Sequence, residues 1–257
     1  MNKKYSAGID IGSTCAKTIV LDKDGKVVYK DLRPTGYSSV DTAESIRHII
    51  EEAFGKDSFH TVATGYGRIS VPFADNKVTE ISCHAKGAVR LFDKNDINVI
   101  DIGGQDTKLI VIENGVVSEF VMNDKCSAGT GRFLEVMANT LSVSPEELCA
   151  MAEKGNETKI SSLCTVFAES EVINLIGKGT PREDIAYAVI DSIVEKVKTQ
   201  SGKLRMNDGP LCLTGGLCDY GYVVKMLSKV FNKEVMTKPD ARYAGAMGAA
   251  LYAASQK

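Results

Sequence analysis

The segment Ile9-Asp10-Ile11-Gly12-Ser13-Thr14 recurs, about 90 residues later, as Ile100-Asp101-Ile102-Gly103-Gly104-Gln105-Asp106-Thr107. Each copy is followed by the same features in the same order: an apolar stretch, a charged turn with a glycine, and a second apolar stretch. This order predicts strand, turn, strand, hairpin turn and strand, twice. Solenoid repeats are shorter, so the duplication indicates an α/β protein with two related domains.

The first turn of each repeat has the composition of a phosphate-binding turn. A carboxylate at the end of a strand, such as Asp10 or Asp101, faces whatever lies beyond that strand. Glycines let the backbone approach closely, and hydroxyl and N–H groups can face phosphate oxygens. Two such turns suit Mg²⁺–ATP, because the metal takes oxygen ligands while the turns hold the phosphates. The candidate phosphate-binding residues are Gly12, Ser13, Thr14, Lys17, Gly103 and Gly104.

Further residues complete the predicted nucleotide site. Asp10 and Asp101 are the candidate catalytic carboxylates, and either Gln105 or Asp106 is expected to orient a hydrolytic water. The Gly215-Gly216 pair offers a flat backbone wall for adenosine. A single Asp-x-Gly turn is more often an ordinary turn, but the duplicate and the third turn favour a nucleotide site. Neither the P-loop pattern nor the dinucleotide fingerprint G-x-G-x-x-G follows the first strand.

Helical periodicity and capping signals occupy the segments between the strands. Ser144 and Thr180 each precede a proline and stand three residues before a glutamate, which is the N-cap, N1 and N3 pattern. We expect a first domain at 1–98, to which the segment 241–257 returns, and a second domain at 99–240. The periodicity predicts helices at 40–54, 79–92, 131–140, 167–176 and 243–253, with a short strand at 211–213.

The composition excludes several classes of protein. The chain has 257 residues, a formal net charge of −2, 44% hydrophobic residues and 25% charged residues. These values are typical of a globular protein and give no electrostatic case for nucleic acid or an anionic membrane. No apolar run approaches the roughly 18 residues that cross a bilayer, and no apolar leader opens the sequence. We therefore expect a cytoplasmic protein.

Seven cysteines are the unusual feature of the composition. Seven is not an even disulfide set, and a cytoplasmic chain is in a reducing compartment. There is no C-x-x-C pair, which argues against a zinc knuckle or a cluster loop within one chain. A reactive thiol and a metal site completed by a second chain both remain open.

Two of the cysteines, Cys126 and Cys164, lie just before predicted helices. A thiolate or an anionic cluster at a helix N-terminus is stabilised by free N–H groups and the helix dipole. From the spacing alone, these two are equally well interpreted as small core residues. The other five are predicted to be core residues: Cys15, Cys83, Cys149, Cys212 and Cys218.

The order of these motifs resembles the actin, sugar kinase and heat-shock chaperone ATPase superfamily. That resemblance implies two ribonuclease-H-like (actin-like ATPase) domains around a nucleotide cleft. The cysteine segments resemble more closely the activators of 2-hydroxyacyl-CoA dehydratases, a family that includes the ATPase subunits of benzoyl-CoA reductase. The matching segments are Ala63–Arg68, Glu80–Ala85, Ile100–Lys108, Met122–Phe133, Ser161–Glu171, Leu213–Gly216 and Gly245–Leu251.

This family resemblance implies a homodimer that shares one [4Fe-4S] cluster, with Cys126 and Cys164 of each subunit as ligands. It implies an ATP-driven one-electron donor that a ferredoxin or flavodoxin loads. The implied acceptor is a 2-hydroxyacyl-CoA dehydratase or a related reductase with a double-cubane cluster. Ser127 and Leu163 depart from the alanine and threonine expected there, but the ligands are intact.

Two other functions fit the same scaffold. A small-molecule kinase would need a catalytic base, for which Asp75 or Glu80 is the candidate. A non-enzymatic scaffold of the actin type would polymerise with ATP, although the cysteine segments argue against it. The roles of Arg68 and Lys125 stay open from the sequence.

Overall fold

The computed structural model of the protein describes residues 3–156, 158–161 and 164–256. The chain divides into two compact units. Unit 1 comprises three segments: the chain up to Asn95, Ile112–Val117, and the chain from Asp240 onward. Unit 2 comprises Asp96–Val111 and Ser118–Pro239. The ribonuclease-H-like domains at 1–98 with 241–257 and at 99–240 stay a prediction.

The strands form two five-stranded sheets, and the predicted repeat of strand, turn, strand, hairpin and strand is confirmed in both. The first sheet has the order β3-β2-β1-β4-β5, with β1 antiparallel to β2 and parallel to β4. The second has the order β10-β9-β6-β7-β8, with β6 parallel to β9. The strands are β1 (Tyr5–Ile11), β2 (Cys15–Leu21), β3 (Val27–Pro34), β4 (Phe59–Thr64), β5 (Asn76–Lys77), β6 (Ile97–Ile102), β7 (Thr107–Glu113), β8 (Val116–Asn123), β9 (Leu211–Gly215) and β10 (Val235–Met236).

The helices begin and end within two residues of the predicted bounds wherever a helix was predicted. In the part of the chain that the structure describes, no helix is long and apolar enough to span a membrane. The helices are α1 (Ser39–Phe54), α2 (Glu80–Phe92), α3 (Gly131–Thr140), α4 (Pro145–Ala152), α5 (Thr165–Gly177), α6 (Arg182–Ser201), α7 (Gly221–Phe231) and α8 (Ala244–Ala254).

The final helix, α8, packs into the core of unit 1 because its residues are small. A methyl group built on Gly248 would overlap Cys83 O of α2, and one on Gly87 would overlap Ala244 O. A methyl group on Gly8 of β1 would also overlap the main chain of α8. The main chain of α8 therefore lies directly against β1 and α2, closer than larger side chains would allow.

The capping box predicted at Ser144 is confirmed. Glu147 N donates to Ser144 Oγ at 3.1 Å, and Ser144 N donates to Glu147 Oε2 at 2.7 Å. The cap predicted at Thr180 is wrong. Pro181, with φ −53° and ψ 140°, is itself the N-cap residue of α6. Its extended ψ keeps it outside the helix, so the Thr180 hydroxyl lies one residue too far out to cap.

These two positions form a matched pair for a stability test. We expect Ser144→Ala to lower the free energy of unfolding by about 1 kcal/mol, because the N-cap acceptor is lost. We expect Thr180→Ala to change it by less than about 0.5 kcal/mol, as at an ordinary surface position. Urea unfolding followed by circular dichroism measures both. Equal losses in the two variants would contradict the assignment of the caps.

Candidate functional site

The phosphate turn of unit 1 (residues 12–14), here called turn 1, links the ends of β1 and β2. Gly12 N donates to Cys15 O at 3.1 Å, and Thr35 Oγ1 donates to Gly12 O at 2.7 Å. These bonds hold the main chain, while the side chains of Ser13 and Thr14 are exposed. Turn 1 therefore presents two hydroxyl groups on a fixed backbone, as the sequence predicts for a phosphate site.

Asp10 is buried, and one of its two carboxylate oxygens has no hydrogen-bond donor within the described residues. Its side chain is 3% exposed, and no group within the described residues donates to Asp10 Oδ1. A methyl group on Gly65 would overlap Oδ1, and one on Gly245 would lie 2.5 Å from Oδ2. Lys17 is the register partner of Asp10 on β2, so both side chains lie on the same face of the sheet. A buried carboxylate oxygen without a donor is costly, so this position fits a bound cation such as Mg²⁺.

Asp101, the second aspartate of the repeat, has partners on both oxygens. Thr214 Oγ1 donates to Oδ1 at 2.9 Å, and Lys108 Nζ lies 3.3 Å from Oδ2. Lys108 Nζ also lies 2.8 Å from Asp106 Oδ2, and the Lys108 side chain is 1% exposed. Lys108 therefore supplies one positive charge that two carboxylates of unit 2 share.

Lys108 was not among the predicted site residues, although the sequence carried a signal for it. It follows Asp101 by the same seven positions by which Lys17 follows Asp10. The duplicated motif therefore includes a lysine in each copy. Only the structure shows that the second lysine is buried.

The phosphate turn of unit 2 (residues 103–106), here called turn 2, is closed by a main-chain hydrogen bond. Gly103 N donates to Asp106 O at 2.9 Å. Gln105 is exposed, whereas the Asp106 carboxylate is engaged by Lys108. Of the two candidates for orienting water, Gln105 is thus the one whose side chain faces solvent.

The Gly215-Gly216 pair lies at the end of β9, beside β6. Gly215 has φ +85°, and a methyl group on it would lie 2.8 Å from Asp101 Oδ1. The structure therefore brings this backbone wall next to the carboxylate of the phosphate motif within unit 2. The predicted residues of each unit assemble at the ends of its own strands.

The two candidate ligand cysteines are the accessible ones of unit 2. Cys126 is half-buried, and Cys164 is exposed at the N-cap of α5. The residues that follow them are joined, because Ser127 Oγ lies 2.8 Å from Thr165 Oγ1. Asn123 Nδ2 also donates to Cys126 O at 2.8 Å. Both thiols are thus held on connected segments. Ser162 and Leu163, in the Cys164 motif, lie outside the described residues.

Cys164 is the N-cap residue of α5, whereas the expectation of free N–H groups beside Cys126 is wrong. The N-cap of α3 is Thr130, four residues after Cys126. The first N–H groups of α3 are already used: Gly131 N donates to Gly103 O at 2.9 Å, and Arg132 N donates to Gly104 O at 2.7 Å. The α3 N-terminus therefore holds turn 2 instead of a ligand of Cys126.

The remaining cysteines differ in accessibility and acidity. Burial raises the pKa of Cys83, Cys149 and Cys212 to about 12. These thiols stay protonated at neutral pH, so they are poor metal ligands. Cys218 is also buried and donates to Asp219 Oδ1 at 3.5 Å, whereas Cys15 is half-buried.

Two residues left open by the sequence have local roles in unit 1. Asp75 Oδ1 pairs with Lys3 Nζ at 2.7 Å, and Oδ2 accepts from Thr61 N at 2.8 Å. Burial acts to raise the pKa of Asp75, but these hydrogen bonds outweigh it and lower the pKa below the usual value. Both carboxylate oxygens of Asp75 are therefore engaged within unit 1. Arg68 Nη1 donates to Gly65 O at 3.0 Å, within its own turn.

No three His, Cys, Asp or Glu side chains of residues 3–156, 158–161 and 164–256 come together in a group that could hold a metal ion.

Two duplicated sheets with an aspartate and a glycine turn at the end of the first strand define an ATPase of the actin-like fold. The profile of the BadF/BadG/BcrA/BcrD ATPase family matches residues 7–253, and the chain belongs to that family. The predicted family and fold are thereby confirmed.

Close relatives extend this result over the whole chain. The (R)-2-hydroxyglutaryl-CoA dehydratase activating ATPase of Acidaminococcus fermentans is 45% identical over 97% of this chain and 96% of its own. The crystal structure of component A of that dehydratase covers 98% of both chains with a TM-score of 0.91 and 42% identity. The activator of 2-hydroxyisocaproyl-CoA dehydratase from Clostridium difficile, with bound ADPNP, has a TM-score of 0.90 at 34% identity, covering 98% and 95%.

The charge on Lys108 can be tested against an exposed ion pair of the same unit. Lys108→Met leaves two carboxylates without their cation, and breaking a buried pair costs about 3–5 kcal/mol. Lys225→Met removes an exposed pair with Glu153 at 3.1 Å, which costs about 1 kcal/mol or less. Urea unfolding compares the two variants. A loss in Lys108→Met no larger than in Lys225→Met would mean that Lys108 does not hold the acidic pair.

Proposed function

We propose that this protein is a homodimeric, ATP-hydrolysing activator that delivers single electrons to a 2-hydroxyacyl-CoA dehydratase or a related double-cubane reductase. Its relatives are named as activators of 2-hydroxyglutaryl-CoA, lactoyl-CoA and 2-hydroxyisocaproyl-CoA dehydratases. A more distant relative is a benzoyl-CoA reductase subunit, 30% identical. A reduced ferredoxin or flavodoxin is the proposed electron donor. The accessible thiols suit a reducing compartment such as the cytoplasm.

The nucleotide site is proposed from the two turns. Asp10, with its unpartnered buried oxygen, and Asp101 are the carboxylates that would face Mg²⁺. Gly12, Ser13, Thr14 and Lys17 in unit 1, with Gly103, Gly104 and Asp106 in unit 2, would bind phosphates. Gln105 would orient the attacking water, and Gly215-Gly216 would pack against adenosine.

The cluster ligands are proposed from accessibility and connection. Cys126 and Cys164 have accessible thiols, while burial keeps Cys83, Cys149 and Cys212 protonated. Two cysteines are half of the four thiolates that a [4Fe-4S] cluster requires, so a second copy of the chain would supply the others. A cluster bound there would supply one-electron transfer to the partner enzyme.

The surface beside Cys164 supports a dimer. On α5, Val166 is 66% exposed, Phe167 67% and Ile173 55%. Exposed apolar side chains that lie together on one helix are typical of an interaction site. A second copy would cover them and bring its own cysteines to the same place.

The observation that carries this proposal is the hydrogen bond between Ser127 and Thr165, next to the two cysteines. It joins the only two segments in the described part of unit 2 that present accessible thiols, and the first of them leads directly into the helix that holds turn 2. A small-molecule kinase does not need such an arrangement. Both oxygens of Asp75, a candidate base for that alternative, are already engaged by Lys3 and Thr61.

The nucleotide part is tested by Asp10→Asn. Loss of the carboxylate charge is expected to lower ATP hydrolysis about 100-fold, the usual size of a lost electrostatic contact in a transition state. The control is Asp24→Asn, an exposed carboxylate in the β2–β3 hairpin, which should hydrolyse ATP at the wild-type rate. A phosphate-release assay measures all three proteins. Wild-type turnover in Asp10→Asn would contradict the site.

The cluster part is tested by anaerobic purification and iron analysis. The wild-type dimer is expected to carry about four irons, and Cys126→Ala and Cys164→Ala are expected to lose them. Cys15→Ala, which removes a half-buried thiol of unit 1, serves as the control and should keep its iron. An iron-free wild type, or phosphate transfer from ATP to a polyol, would refute electron transfer and favour the kinase.

A further inference from the structure

Turn 2 is bonded to the loop that carries Cys126. We call residues 124–130 the Cys126 loop; it runs from the end of β8 to the start of α3. Thr107 Oγ1 donates to Gly129 O at 2.7 Å, and this bond is fully buried. The two bonds from the α3 N-terminus to Gly103 O and Gly104 O continue the connection. Turn 2, the Cys126 loop and the first turn of α3 are therefore one hydrogen-bonded block within unit 2.

Gly129 is fixed at the centre of this block. Its φ of +82° is a left-handed conformation that favours glycine. A methyl group at this position would lie 2.8 Å from Lys196 Cγ, because the Lys196 stem covers the glycine. The Gly129 carbonyl has a buried donor, and its Cα has no free space on the Lys196 side. The loop therefore cannot shift near Gly129 without moving Thr107 or α6.

Thr107 and Lys108 are consecutive residues of β7, and their side chains bond to two different sites of unit 2. Successive side chains of a strand lie on opposite faces. The Lys108 side chain reaches Asp101 and Asp106, at the proposed phosphate site. The Thr107 side chain reaches Gly129 in the Cys126 loop. A displacement of the start of β7 would therefore move both the phosphate site and the Cys126 loop.

We propose that Thr107 is a positioning residue that transmits the position of turn 2 to Cys126. This inference rests on the proposed function in one respect, that a nucleotide occupies turn 2. The Thr107 side chain is 1% exposed, so water does not compete for its bond to Gly129.

The structure also predicts which of the two cysteines responds more strongly to a bound nucleotide. Cys126 is coupled to turn 2 through the buried bond of Thr107. Cys164 is coupled one step further away, through the partly exposed bond between Ser127 and Thr165. Nucleotide binding should therefore change the environment of Cys126 more than that of Cys164.

The test uses the full chain with iron removed, so that its readout does not depend on a loaded cluster. The alkylation rates of Cys126 and Cys164 by iodoacetamide are measured by peptide mass spectrometry, with and without ADPNP. ADPNP affinity is measured on the same samples. In the wild type we expect ADPNP to change the Cys126 rate about fivefold, the factor that corresponds to one typical hydrogen bond.

The variants separate transmission from stability. Thr107→Val keeps the shape of the side chain and removes the hydroxyl, so the ADPNP effect on Cys126 should disappear. Thr107→Ser keeps the hydroxyl and should show the same ADPNP effect on Cys126 as the wild type. Thr199→Val is the matched control, because Thr199 Oγ1 donates to Glu195 O at 2.9 Å within α6 and is exposed. If Thr107→Val does not fold, Thr107→Ala removes the same hydroxyl and leaves no second methyl group in the polar site.

The outcomes distinguish this inference from the function on which it rests. A wild type that binds no ADPNP overturns the proposed function and the inference with it. A wild type that binds ADPNP with no change at Cys126, or an undiminished change in folded Thr107→Val or Thr107→Ala, overturns the inference alone. An effect lost in Thr107→Val, kept in Thr199→Val and restored in Thr107→Ser supports it.

Discussion

A buried carboxylate at the end of the first strand is the constraint on which both units depend. Removed from water, such a group requires a cation or hydrogen-bond donors. In unit 2, Lys108 and Thr214 provide them for Asp101. In unit 1, glycines at positions 65 and 245 lie against Asp10, and no donor within the described residues reaches its Oδ1. In one copy of the duplicated motif the protein supplies partners to both carboxylate oxygens, and in the other copy one oxygen has no donor within the described residues.

The second unit combines the phosphate motif with the accessible thiols. Its first helix after the motif uses its N-terminal N–H groups on turn 2, and its loop before that helix carries Cys126. A bound nucleotide can change the environment of a distant thiol only through contacts that differ between two states of the protein. In unit 2, the two main-chain bonds from α3 to turn 2 and the side-chain bond of Thr107 to Gly129 join the phosphate motif to the Cys126 loop.

The sequence predicted the order of strands and most helices because those signals are local. Alternating apolar runs and turn glycines specify a strand and its end without reference to distant residues. One failure depends on a neighbouring residue, and the others depend on residues far away in the sequence. Thr180 fits a capping pattern, but the backbone of Pro181 decides where α6 begins. The N–H groups of α3 were expected to be free near Cys126, but they donate to a turn from another part of the chain. Lys108 was visible as a repeated spacing, whereas its burial depends on tertiary packing.

The position of α8 in the chain has a consequence for biosynthesis. This helix lies against β1 and α2, yet it is formed by Ala244–Ala254, near the end of the sequence given. The strands of unit 1 are synthesised before unit 2. Their core is complete only when α8 has also been synthesised. Unit 2, from Asp96 to Pro239 apart from one short hairpin tip, is fully synthesised before that point. The core of unit 1 is therefore expected to be complete only after unit 2 has been synthesised, which differs from the usual N-terminal order.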